Sequence, residues 1–105
     1  MSWIVLVAAG VCEAGWALSL GRSEGFTRLG PTVTFAVLMI LSVAGLGYAM
    51  RELPVGTAYA VWTGIGASLT VAVAMMTGQE PLSVVKVLLL AGIVGCVVGL
   101  KLVEG

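Results

Sequence analysis

The sequence predicts an all-α integral membrane protein built from four transmembrane helices, and three observations carry that prediction. Hydrophobic residues make up 60% of the 105-residue chain and charged residues only 10%, against about 25% charged in an ordinary soluble domain. The charges fall in short clusters, and these divide the chain into four apolar stretches near the ~20 residues that a bilayer-crossing helix needs. Within each stretch the apolar run is continuous, whereas strands in lipid must alternate between faces and close into a barrel. Mean hydropathy of +1.16 agrees. A surface this poor in charge excludes a soluble enzyme and a disordered tail. Zero net charge without a basic cluster excludes a nucleic-acid partner.

The first span covers residues 3–21 and holds one charge, Glu13. Met1-Ser2 supplies no basic leader, and the apolar run is long for a signal peptide, so this stretch reads as a retained span. Arg22-Ser-Glu-Gly-Phe-Thr-Arg28 reads as a loop by its charges and its glycine. The second span, 31–50, starts at Pro31, whose missing N–H costs nothing in a first turn. Arg51-Glu52-Leu53-Pro54 is a tight connection to the third span, 55–78, and Gly78-Gln79-Glu80-Pro81 turns the chain again. In the fourth span, 82–103, Ser83 is placed to cap the helix, and Lys86 and Lys101 can snorkel to the headgroups. The whole chain, 1–105, is one four-helix unit. Cys12 and Cys96 lie inside apolar runs and read as small buried hydrophobes. The chain has no His and no metal-ligand spacing, so neither a metal site nor a cofactor is expected.

Glu13 is the residue that demands a function. A carboxylate at mid-bilayer costs roughly 2.5 kcal/mol or more, and such residues mark ion pathways and proton relays. The alternative is a protonated Glu bonding two helices together, but no Lys or Arg lies at comparable depth to pair with it. Loss of water favours the neutral acid, so the group can hold a proton and release it when a cation arrives. Trp16 lies three residues on, along the same face, and Gly10 three residues back leaves room for a ligand. On the third helix Tyr59 and Trp62 present two aromatic faces with an O–H and an N–H. Ser42 is the mid-span polar group of the second helix and is able to donate to a carboxylate. Together these suit a cation, held by charge pairing and cation–π attraction. Gly64 and Gly66 weaken the third helix at mid-span and permit a hinge. Gly92, Gly95 and Gly99 form a small-residue face on the fourth, suited to close helix contact.

Four spans place both termini on one side. That side carries Arg51 and Lys101, and the other carries Arg22, Arg28 and Lys86. Orientation follows Lys/Arg imbalance, which is weak here and suits insertion in both directions. The chain lacks the inverted internal repeat of many transporters. Two copies inserted oppositely supply it, giving a dual-topology antiparallel homodimer with two Glu13 side chains in one cavity.

These residues resemble the small multidrug resistance transporters over essentially the whole chain, and among them the guanidinium-exporter subtype. The resemblance rests on Trp3, Gly10-x-x-Glu13-x-x-Trp16-Ala17, Gly25-Phe-Thr-Arg28-Leu29 and Pro31. It continues through Leu53-Pro54-x-Gly56-Thr-Ala-Tyr59-Ala-x-Trp62-Thr63-Gly64-Ile-Gly66-Ala67 and Glu80-Pro81. It implies an antiparallel homodimer in the bacterial cytoplasmic membrane that exchanges protons for a guanidinium-type cation. Glu13 then binds proton and substrate in turn, Trp16, Ser42, Tyr59 and Trp62 shape the site, and the glycine face of the fourth helix, Gly92, Gly95 and Gly99, makes the dimer contact. Gly21-Arg22 departs from the family, where a Lys is usual. Two other readings stand beside this one: a broader quaternary-ammonium exporter and a non-transporting membrane subunit.

Overall fold

Each apolar stretch forms one unbroken helix in the computed structural model, which describes residues 2–104. The helices are α1 (Ser2–Arg22), α2 (Leu29–Ala49), α3 (Val55–Met76) and α4 (Val84–Glu104). All four are long and apolar enough to cross a membrane; at 1.5 Å per residue each reaches about 31 Å, matching the hydrocarbon core. No strand occurs among the described residues.

Helix ends differ from expectation by a few residues, for identifiable reasons. α2 begins at Leu29, two residues before Pro31. The first four N–H groups of a helix have no intrahelical partner, so proline is tolerated at the third position as well as the first. α3 stops at Met76, two residues short of the expected Gly78. Gly78 adopts φ +79° and its N–H donates to the Met75 carbonyl at 3.3 Å, while the Gln79 N–H donates to Ala74 O at 2.9 Å. A left-handed glycine after the last turn satisfies orphan carbonyls and ends the helix. At the start of α4, Ser83 Oγ accepts the Lys86 N–H at 3.3 Å.

α1 is the central helix, packed against α2 on one side and α3 on the other, and α4 packs on α3. The molecule is accordingly flattened, 41 × 33 × 17 Å. The buried core gathers Leu6 and Ala9 of α1, Leu46 and Ala49 of α2, and Ala58, Val61 and Trp62 of α3. α4 adds no fully buried residue. Cys96, expected to be buried, is therefore exposed, and Cys12 is half-buried. Within one chain α4 has a neighbour on one side only, so its outer face is left to lipid or to another chain.

The α1–α2 loop is unusual in its backbone. Glu24, Gly25 and Phe26 follow one another at φ of 50°, 71° and 70°. Glycine adopts this left-handed region freely, whereas a non-glycine residue held in a sparsely populated region costs about 1–3 kcal/mol. Ser23 holds the turn: it is fully buried, its Oγ donates to Leu20 O at 2.7 Å, and the Phe26 N–H donates back to it at 3.2 Å.

Candidate functional site

Glu13 lies near the midpoint of α1, about 16 Å from the Ser2 end. Its side chain turns toward α3 and rests on Gly66. A Cβ built at Gly66 would fall on the Glu13 carboxyl group and lie 2.8 Å from Glu13 Cγ. Only a hydrogen at position 66 leaves the carboxyl group its place. Gly66, expected as a hinge, is thus a direct neighbour of the charge, and α3 runs unbroken through both Gly64 and Gly66. Oε1 of Glu13 is buried and makes no hydrogen bond.

No cation among the described residues is paired with this carboxylate. Among the described residues the one ion pair joins Lys86 to Glu80 at 3.2 Å, beside the start of α4. The charges of the opposite face sit over rings at the helix ends, Arg51 5.7 Å from the Tyr48 centroid and Lys101 5.4 Å from that of Trp3. An acceptor with no partner, deep in a low-dielectric slab, is costly. It forms a strong attachment for whatever proton or cation reaches it.

Rings and hydroxyls flank Glu13 on both sides along the membrane normal. Toward the loop end, Trp16 keeps its Nε1 buried and without a hydrogen-bond partner. Its ring meets Phe35 of α2 edge-on, with centroids 5.8 Å apart. Toward the terminal end, the fully buried Ser42 donates to the Ala9 carbonyl at 2.7 Å and accepts from Trp62 Nε1 at 3.0 Å. A hydroxyl has one proton to give, so in this arrangement Ser42 has none for Glu13, contrary to expectation. Its role here is to join α1, α2 and α3 at one point. Tyr59, one turn before Trp62, packs tilted against that ring with centroids 5.7 Å apart. It is 55% exposed.

The glycines divide by what they meet. The room expected beside Gly10 is taken by Ile65, whose Cβ and Cγ2 would lie 2.9 and 2.8 Å from an added Cβ. Gly10 therefore brings α1 close to α3 and does not leave space for a ligand in this chain. Gly64 does the same for α4, facing Val97 and Ile93 at 2.8 and 3.4 Å. Gly92, Gly95 and Gly99 face nothing within 4 Å.

Sequence reasoning passed over Phe35, Phe26 and Ser68. Phe26 packs tilted against Phe35 at 5.7 Å, and Ser68 Oγ is buried without a partner. For Phe35 a signal existed. Folding the chain back between Gly25 and Phe26 places Trp16 and Phe35 equally far from the turn, and Ala9 and Ser42 likewise, as their contacts show. For Ser68 nothing in the local pattern distinguishes it from a lipid-facing residue.

A profile of the family described as Small Multidrug Resistance protein matches residues 1–93. The chain belongs to this family. The match includes Glu13, Ser42, Tyr59, Trp62 and Gly66 and ends before Gly95 and Gly99. Similar proteins named guanidinium exporter come from Citrobacter freundii and Salmonella typhimurium, each 50% identical over 102 residues and 97% of either chain. Another, from Proteus vulgaris, is 47% identical over 97% of this chain and 98% of its own. These relatives carry the names of transporters, not enzymes. With four membrane-spanning helices, this Small Multidrug Resistance protein is a multi-pass membrane transporter.

Proposed function

We propose that the protein exports guanidinium and small substituted guanidinium cations in exchange for protons. It does so as an antiparallel homodimer in the bacterial cytoplasmic membrane, with Glu13 binding proton and cation in turn. The observation that carries this is the Glu13 carboxyl group at mid-membrane, fixed against Gly66 with Oε1 unpartnered. A planar guanidinium can offer two parallel N–H donors to the two oxygens of a carboxylate, which suits a carboxyl group with no cation paired to it. The names of the relatives support this substrate over other cations.

Exchange follows from one attachment point serving two ligands. A proton and a cation cannot both neutralise one carboxylate, so arrival of either displaces the other. Trp62 and Tyr59 lend aromatic faces to the cation, and Trp16 closes the site one turn away. Alternating access needs the site to open to each membrane face in turn, with Gly64 and Gly66 absorbing the bend in α3. The uncovered glycine face of α4, at Gly92, Gly95 and Gly99, is the surface for a second copy, and the weak Lys/Arg imbalance allows that copy to insert the other way up.

Proteoliposomes containing only this protein test the reading. A guanidinium gradient should drive opposite proton movement, and guanidinium and methylguanidinium should compete for one site while a bulky aromatic cation competes poorly. Glu13→Gln should abolish the coupled flux and keep helix content and dimer size. Robust coupled flux in Glu13→Gln would refute the central role of the carboxylate. Preferred transport of the aromatic cation would favour the quaternary-ammonium reading, and no flux with a folded dimer would favour the non-transporting subunit.

A further inference from the structure

The α1–α2 turn couples backbone strain to a column of rings that ends beside Glu13. Phe26 packs tilted against Phe35 with centroids 5.7 Å apart, and Phe35 meets Trp16 edge-on at 5.8 Å. Trp16 and Phe35 both lie about 9 Å inside the loop ends of their helices, and Trp16 is one turn from Glu13. The three rings therefore follow the α1–α2 seam from the loop to within one helical turn of the level of Glu13. Phe26 makes this contact from a backbone held at φ 70°, with Glu24 and Gly25 before it also left-handed.

Ser23 is the one buried residue in an otherwise exposed loop, at 0% exposure. Its Oγ bridges the Leu20 carbonyl and the Phe26 N–H. Its carbonyl accepts the N–H groups of Thr27 at 2.9 Å and Arg28 at 3.0 Å. The side-chain pair of bonds therefore acts on Phe26, and the carbonyl on the residues that lead into α2.

We propose that Ser23 is a positioning residue. It holds Phe26 as the outermost ring of an aromatic barrier, Phe26–Phe35–Trp16, that separates Glu13 from the membrane face carrying the α1–α2 loop. The proposal rests on Glu13 as the transport site, but its test does not use guanidinium. An exposed Phe at a loop apex is otherwise an interfacial anchor, and the two roles differ in what happens to protons when the ring is lost. A barrier stops water and protons reaching the carboxyl group from both faces at once. An anchor does not.

The experiment follows dissipation of a pH gradient by proteoliposomes without substrate. Ser23→Ala and Phe26→Ala should each speed the leak at least fivefold over wild type. Ser23→Thr, which keeps the hydroxyl, should restore it to within twofold. Ser23→Ala combined with Phe26→Ala should leak no faster than Phe26→Ala alone, since both act through one ring. Simple destabilisation lowers transport without raising leak. Wild-type leak in Phe26→Ala overturns the barrier and leaves an anchor. Wild-type leak in Ser23→Ala, or an additive double variant, overturns the positioning role. If Ser23→Ala does not fold by circular dichroism, Ser23→Cys, similar in size but weak in hydrogen bonding, takes its place under the same criteria. If wild-type protein fails to exchange guanidinium while these leaks rise, the substrate reading falls and the barrier stands.

Discussion

Gly66→Ala separates what the site needs from what the fold needs. The added methyl group falls on the Glu13 carboxyl group and 2.8 Å from its Cγ, where ordinary contact begins at 3.4 Å. The Cγ must therefore retreat by more than half an ångström and the carboxyl oxygens further, on the order of 1 Å, a displacement large enough to spoil a positioned contact. The obstructing atoms are the far end of a flexible side chain, so the helices need not part. Alanine in a helix interior is favoured over glycine by up to about 1 kcal/mol, and the unfolding midpoint should hold or rise. Binding should suffer instead. A hydrogen bond to a charged group is worth about 1.5–3 kcal/mol, so losing one weakens guanidinium affinity by about 10- to 150-fold. Titration calorimetry on detergent-purified protein reads the affinity, and thermal circular dichroism reads the stability. Guanidinium affinity within threefold of wild type in Gly66→Ala would refute the claim that Gly66 sets the carboxylate position.

The neighbouring substitutions divide along the same line. Gly10→Ala drives a methyl group into the branched Ile65 side chain at 2.8–2.9 Å. This overpacks the α1–α3 seam and should cost about 1–3 kcal/mol, seen as a lowered unfolding midpoint. Ser42→Ala leaves the buried Trp62 Nε1 without its acceptor and should cost about 1–3 kcal/mol. Trp62→Phe removes the donor, keeps the Ser42–Ala9 bond and should cost less, as measured by denaturation in the same detergent.

Much of the fold was legible along the chain because lipid imposes a local rule. Every backbone group must be satisfied within its own segment, so a run of ~20 apolar residues becomes one helix whatever surrounds it. Glu13 was legible for the same reason, since a lone charge within such a run has no inexpensive explanation. Helix ends moved by a few residues because capping depends on backbone conformation, as at Gly78, which residue identity only suggests. The partners of the site residues were less legible. Ser42 was expected to be able to donate to a carboxylate and instead donates to Ala9 and accepts from Trp62, and Gly10 was expected to leave space that Ile65 fills. Both depend on how α1, α2 and α3 rotate against one another, and a uniformly apolar helix carries no polar stripe to declare those angles.

By itself the sequence determined four spans, the depth of one carboxyl group, and the family to which the chain belongs. The first two follow from composition and order along the chain, which the bilayer reads one segment at a time, and the family from the motifs that the chain shares with it. The tertiary structure decided that Gly66 is the surface on which Glu13 rests, that Ser42 joins three helices, and that Phe26, Phe35 and Trp16 form one column. Those are contacts between segments, set by the packing of side chains across helix seams. The hydrophobic effect cannot specify them, because lipid tails are as apolar as the residues they replace.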